Sequence, residues 1–347
     1  MTVTLALLLA LSMPTQAPAP TRQENIDTCL TCHGDASLKV DLPSGETRSL
    51  HIDASVFARS VHGDKLSCVD CHSDITEVPH ESRAFKTKRE FSIAYYENCK
   101  RCHFANYSKT LDSAHAGAVK RGDATAPVCV DCHGAHDVTK PNLPRTRISQ
   151  TCARCHEGVS AVYAKSVHGN ALIEEHNDDV PTCTDCHRSH DVGGPHAAAW
   201  ESHTPDMCAS CHADEPLMKK YGLSTAVHQT YLSDFHGMTV SLRAKREDGD
   251  QPVVARCTDC HGVHDIAKAD DPNSKVVKAN LLKTCQQCHA DASENFPAAW
   301  LSHYEPSWSK APLVYAVSLA YKVLIPFMVF GLVLQILLHL WRVVVNR

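Results

Sequence analysis

A mainly α-helical fold with little regular secondary structure, carrying one membrane-crossing helix, is what these 347 residues predict. Three observations predict it. Leu, Ile and Phe are too sparse in the middle of the chain to bury a core of ordinary size, and aromatic residues make up only 6%. Cysteine and histidine are abundant instead, with 18 and 24 copies, so something other than side chains must fill the interior. From Leu313 to Val345 the chain is almost wholly apolar. A net charge of −5 rules out a strongly basic nucleic-acid binder. Coiled-coil, collagen-like and purely disordered readings fail on composition.

The first element is the apolar run Thr2–Met13, followed by a Pro/Ala stretch to Pro20. It is too short to span a membrane and reads as a secretory signal peptide over residues 1–20, although no Lys or Arg precedes it.

Residues 21–305 carry the cysteines, and every one falls in a Cys-x-x-Cys pair followed at once by histidine. The nine sets are Cys29/Cys32/His33, Cys68/Cys71/His72, Cys99/Cys102/His103, Cys129/Cys132/His133, Cys152/Cys155/His156, Cys183/Cys186/His187, Cys208/Cys211/His212, Cys257/Cys260/His261 and Cys285/Cys288/His289. This is the attachment signature of c-type haem. Two thiols on one turn of chain each add to a haem vinyl group, and the next residue turns its imidazole to the iron as proximal ligand. Zinc ribbons and disulfide frameworks also use closely spaced cysteines, but neither requires a histidine after every second one. Nine such matches by chance have a probability on the order of 10⁻¹⁰. The cofactors expected are nine covalently attached haem c, and the fold class becomes a multihaem cytochrome c domain built around a haem stack.

The motifs alternate. Cys68, Cys129, Cys183 and Cys257 open Cys-x-Asp-Cys-His, and the other five lack that aspartate. Ahead of each Asp-type motif lies an S-x-H-G-like element, centred on His62, His115, His168 and His236; after the later three comes His-Asp, at His136, His190 and His264. After the first Asp-type motif stands His80. Self-similarity of this kind marks a repeated structural unit. The domain therefore reads as one leading haem and four two-haem modules, about 55–110, 111–163, 164–222 and 223–305. Glu157–Ser166 and Phe104–Ser113 read as short helices, and the charged interval Met238–Arg256 as a surface loop or hairpin.

Nine distal ligands would close every iron. The repeats supply His62, His80, His115, His136, His168, His190, His236 and His264, and His303 follows the last haem in Trp300-Leu-Ser-His303. A histidine three residues past a proximal ligand cannot reach the far face of the same haem, so it serves a neighbour. His203 and His51 are the reserves; His176, His196 and His228 have no repeating context. Met207 and Met218 could also ligate iron, but their placement does not repeat.

The last element is a transmembrane anchor over 312–345, with 346–347 on the cytoplasmic side. Trp308, Tyr315 and Tyr321 suit one interface and Trp341 the other, and Arg342 and Arg347 place the end inside. His339, within the span, could ligate a haem of a membrane partner.

These motifs give the chain its likeness. The repeated CxxCH, the S-V-H-G elements and the C-H-G-x-H-D segments (Cys132–Asp137, Cys260–Asp265) resemble the multihaem c-type cytochromes of respiratory bacteria over about residues 25–305. That resemblance implies a wire of bis-histidine haems carrying electrons between a membrane quinone or cytochrome b-type subunit and periplasmic redox proteins. The chain would then sit in the inner membrane with its haem domain in the periplasm. Its anchor and haem number differ from the quinol-dehydrogenase members, whose haems are fewer and whose anchor is N-terminal. Composition points the same way. Two propionates per haem against one positive ferric core would carry the charge from −5 to about −14, favouring basic partner surfaces. The alternative is a multihaem oxidoreductase with one open iron, reducing nitrogen or sulfur oxyanions or oxidising hydroxylamine. No CxxCK motif marks such a site, and no catalytic residue is expected.

Overall fold

The structure, a computed structural model, describes residues 20–194, 198–243, 254–299, 303 and 305–346. The expected export segment therefore lies outside the described residues except for its last position, and so does His196. Two compact units separate. One takes the chain up to Pro144 together with Ser189–Val192; the other takes Arg145–Arg188 and the chain from Gly193 onward.

In the first unit α1 (Arg22–His33) starts on a capping box, with Thr21 Oγ1 accepting from Glu24 N and the Glu24 carboxylate accepting from Thr21 N. A short antiparallel hairpin follows, β1 (Lys39–Asp41) against β2 (Thr47–Ser49), turning through Gly45 at φ 84°. Then come α2 (Ala54–Arg59), α3 (Cys68–Cys71), α4 (Lys88–Tyr96), α5 (Phe104–Thr110), α6 (Ala114–Lys120) and α7 (Cys129–His133). Phe91 of α4 stacks on Tyr95 at 4.4 Å, and the Arg48 guanidinium covers the Phe91 ring at 3.1 Å.

The second unit holds α8 (Thr146–Ala153), α9 (Glu157–Lys165), α10 (Val167–Ile173), α11 (Cys183–His187), α12 (Ala198–His212), α13 (Glu215–Lys219), α14 (Val227–Ser233), α15 (Phe235–Arg243), α16 (Cys257–His261), α17 (Lys278–Cys285) and α18 (Pro312–Val345). One expectation is corrected here. Residues 238–243, read as the start of a surface loop, continue α15. Asp234 caps the helix at Gly237 N, and Thr239 and Ser241 return their hydroxyls to the Phe235 and Gly237 carbonyls; the charged, Gly and Pro residues that suggested a loop begin at Arg243, where this helix ends. The rest of that interval, 244–253, lies outside the described residues.

Helices this short do not hold themselves, so packing must. Yet the buried apolar side chains amount to Ile26, Leu42, Ala126, Val128, Ala171, Leu172, Met218, Tyr231 and Ala292 among the described residues, matched by as many buried serines and threonines. Side chains alone do not make this core. α18 is different in kind: 34 residues, apolar and exposed along its length, long enough to cross a membrane.

Candidate haem-binding sites

The aspartate of the Cys-x-Asp-Cys-His motifs builds the turn that presents the cysteines. Asp70, Asp131, Asp185 and Asp259 each accept from the backbone N–H three residues earlier, at Ser67, Val128, Thr182 and Arg256, over 2.6–2.7 Å. Each thus starts the short helix on which its cysteines sit. Two of these turns are clamped from outside. Arg89 bridges the Asp131 carboxylate at 2.7 Å and the Ala126 carbonyl; Arg145 bridges Asp185 at 2.8 Å and the Val180 carbonyl at 3.0 Å. After the histidine the backbone turns left-handed, at Gly134 (φ 76°), Arg188 (φ 61°) and Gly262 (φ 89°). Sequence reasoning noted the aspartate without finding its task, although Ser/Thr-x-x-Asp is a capping signature.

Three of the four S-x-H elements are helix starts, and the one at Ser60 leads into a turn. Ser113, Ser166 and Asp234 accept from Ala116, Gly169 and Gly237 N–H at 3.0–3.1 Å, so His115, His168 and His236 stand at the second helical position. Ser60 holds His62 N–H at 3.3 Å. The glycine after the histidine backs onto the preceding helix: a Cβ at Gly63, Gly169 or Gly237 would collide with the Phe57, Tyr163 or Tyr231 carbonyl. An aromatic three residues ahead of the cap, Phe57, Tyr163 or Tyr231, completes the element. The repeat at Ser113 has Thr110 and Ala116 at these positions instead, so it lacks both the aromatic and the glycine. The residue after the cap is tied in turn to the chain beyond His-Asp: Val61 N–H donates to Val138, Ala114 to Val192 and Val167 to Ile266, at 2.8–2.9 Å.

Those ties bring histidines together in twos. Near-parallel pairs are His33–His80, His72–His136, His133–His190, His187–His264 and His261–His303, with ring centres 5.8–6.1 Å apart in the first four and 6.2 Å in the last. Tilted pairs are His62–His103, His168–His212 and His236–His289, each at 6.2 Å. With a metal–nitrogen bond of about 2 Å on each side and about 1.2 Å from ring centre to nitrogen, two axial ligands of one iron stand about 6 Å apart. The spacing fits the group. Among the described residues no three His, Cys, Asp or Glu side chains converge as a zinc site would need. His115 and His156 lie in different units: His115 on α6, and His156 as the cap of α9.

Nitrogen chemistry agrees. His33 Nδ1 meets the Leu50 carbonyl at 2.7 Å and His80 Nδ1 the Glu81 carbonyl at 3.0 Å, which fixes the tautomer leaving Nε2 for metal. Burial, then the facing His136, pushes the His72 pKa down to about 4; burial and His212 do the same to His168. Burial also lowers His133, His136, His187, His190, His212, His261 and His303, favouring the neutral form that binds iron.

Consecutive motifs touch through sulfur. The first cysteines meet in hydrogen-bond contact at Cys29–Cys68, Cys99–Cys129, Cys152–Cys183 and Cys208–Cys257. Between these couples, Cys71 lies beside Cys99, Cys186 beside Cys211 and Cys260 beside Cys285. Haems attached there would follow one another in sequence order within each unit.

The two cysteines of a motif are not equally enclosed. The first cysteine of every motif is half-buried, as are Cys186, Cys211 and Cys260 among the second ones. The other second cysteines, Cys32, Cys71, Cys102, Cys132, Cys155 and Cys288, are exposed.

Of the reserves, His51 lies half-buried beside Asp35 in the first unit, and His203 sits within α12. His176 lies in a left-handed turn at φ 52°, and His228 Nε2 faces Asp206 at 3.4 Å. None forms one of the described pairs with a proximal histidine.

Known proteins match on the motifs themselves. A family model described as cytochrome c3 matches residues 123–213, enclosing the motifs from Cys129 to His212. One described as a doubled CXXCH motif matches residues 251–294, from Cys257 to His289. The high-molecular-weight cytochrome c of Nitratidesulfovibrio vulgaris (Hildenborough) is 26% identical over 190 residues, covering 50% of this chain and 33% of that protein. The chain thus spans about a third of that relative's length. No solved structure matches. Since these matches fall on the attachment motifs, and the histidine spacing asks for iron rather than zinc, the chain is a multihaem c-type cytochrome, mostly helical and carrying one apolar helix able to span a membrane.

Proposed function

We propose that the chain is an electron conduit of nine haem c groups, each held between its proximal histidine and one of His62, His80, His115, His136, His168, His190, His236, His264 and His303. The observation that carries this is the pairing: eight of the nine proximal histidines face a second imidazole at iron-spanning distance. Two imidazoles facing each other so would hold a haem with both sides of its iron taken, and the group would supply one-electron transfer with no position left for a substrate.

The protein's own residues set the rest. Cysteines hold the groups in file through the contacts of consecutive motifs. Paired imidazoles lack the methionine ligand that raises a potential, and the motif aspartates and clamping arginines fix each attachment turn. The apolar run near the start supports export, and α18 supports a tether in the inner membrane with the haem domain in the periplasm and Arg342 and Arg347 at the cytoplasmic face. On this reading the electron partners are a quinone-reactive or cytochrome b-type membrane subunit at the Cys285/Cys288 end and basic periplasmic redox proteins at the Cys29/Cys32 end.

EPR of the oxidised, detergent-purified protein, scaled to its haem content by intact mass, tests this. Nine haems with all irons low-spin are expected. A high-spin signal equal to one or more irons would overturn the conduit in favour of an oxidoreductase with an open site.

A further inference from the structure

The histidine pairs divide by the element that delivers the second ring, and we infer that this division gives the haems two electronic classes; the inference rests on the ligation proposed above. Rings delivered by the S-x-H elements with a following glycine, His62, His168 and His236, stand 51–53° from their partners. Rings delivered by the segments after the Asp-type motifs, and by His303, stand 7–22° from theirs. The gap between the classes is wider than the spread within either.

The backbone explains the gap. His168 and His236 stand at the second position of a helix and His62 in a turn, and in all three the glycine that follows is seated on the preceding helix, so the backbone there fixes the Cα–Cβ direction. A histidine in the non-helical stretch after a Cys-x-Asp-Cys-His turn is aimed instead by the tie at Val138, Val192 or Ile266. The proximal rings of the two classes also differ, since every tilted pair uses a motif without the aspartate. The ligand-delivering element and the type of attachment motif thus go together in seven of the eight pairs; the exception is His33–His80, near-parallel on a motif without the aspartate.

Orientation matters at the iron. Each imidazole pushes π density into the iron d orbital that lies across its plane. Two parallel rings push on the same orbital and split the pair widely. Tilted rings share the effect between both orbitals and narrow the splitting, which moves the lowest-field EPR feature of the ferric ion to higher g. Axial-ligand geometry is one of the levers by which protein tunes haem.

The test is frozen-solution EPR of the whole oxidised protein in detergent, with two variants. Two low-spin components are expected, the one at higher g being the smaller, three irons against five of the eight assigned. His168→Ala should open one iron to high spin and lower the higher-g component by a third to a quarter. His190→Ala should open one iron, leave that component at its wild-type intensity and lower the other by about a fifth. A single low-spin component in the wild type, or both variants depleting the same component, would overturn the division while leaving ligation intact. Absence of any high-spin signal in both variants would overturn the ligation and this inference with it.

Discussion

Gly169→Ala is the smallest change that should open an iron without touching any ligand. A Cβ at this position would stand 2.6 Å from the Tyr163 carbonyl carbon and 3.0 Å from Ala164 Cα, where ordinary contact begins at 3.4 Å. The obstacle is backbone, and it is held: the Tyr163 carbonyl accepts Ser166 N–H at 2.9 Å and the Ser166 hydroxyl at 2.7 Å. Relief therefore requires α10 to move off α9 by about 1 Å, at a typical overpacking cost of about 1–3 kcal/mol. His168 rides on α10 next to the glycine. Its ring centre is 6.2 Å from that of His212, a span that leaves about 2 Å for each metal–nitrogen bond. Opening it by 1 Å breaks one bond. The expected result is a fall in Tm of roughly 3–9 °C, one high-spin iron, and an unchanged haem content, because Cys208, Cys211 and His212 are untouched. Gly158→Ala, where a Cβ meets nothing within 4 Å, is the control and should behave as wild type. If Gly169→Ala leaves every iron low-spin and the Tm unmoved, the glycine contact does not position His168 and the reasoning fails.

Other consequences can be checked on the same material. Asp185→Asn loses charge-assisted bonds to Thr182 (2.6 Å) and Arg145 (2.8 Å) and should cost about 1–2 kcal/mol in thermal unfolding; no loss would mean the attachment turn forms without its cap. Arg188→Gly should raise stability by about 1 kcal/mol, since Arg188 alone of the three left-handed positions after a motif histidine carries a side chain (φ 61°); a lower Tm would show that the arginine contributes more than its backbone costs. The Lys275 contact at 2.8 Å holds the Asp265 carboxyl below its ordinary pKa, so its stabilisation is full above the ordinary value near 3.9 and is lost as pH falls through the folded-state value. Asp265→Asn should remove that acid-side step from a pH series of unfolding curves, and its persistence would place the step elsewhere. Deleting 312–347 should move the haem protein from washed membranes to the soluble fraction, unless other contacts hold it there.

Much of this was legible because haem attachment is written locally. A Cys-x-x-Cys-His set needs only one turn of chain, so all nine could be read at once, and the S-x-H and His-Asp elements repeated around them. That a histidine such as His136 serves a neighbour was legible; which neighbour was not. His136 faces His72, a choice made by the Val61–Val138 tie between segments far apart in sequence. The hairpin Lys39–Ser49 escaped because its strands are three residues each, too short for an alternating pattern to register. The helix end over 238–243 escaped because it was read together with the charged, Gly- and Pro-containing residues that follow it from Arg243.

The crossed pairing also says why this repeat cannot be shortened at a module boundary. In most repeat proteins each unit touches its neighbours through a packed face, and the end units need only a polar cap. On the proposed ligation the exchange here is of ligands. The segment Ser189–Val192 belongs to the first unit although the chain on both sides belongs to the second, because His190 pairs with His133 and Val192 accepts from Ala114. Each Asp-type haem would then wait for the next proposed module to close it, and the last such haem, at His261, would have no next module. His303 takes that place, at the same ring spacing and within the same near-parallel class as its counterparts. Cutting the chain after any earlier module would leave an iron open at the new end, whereas the closing residue in this chain comes from the segment that leads into α18.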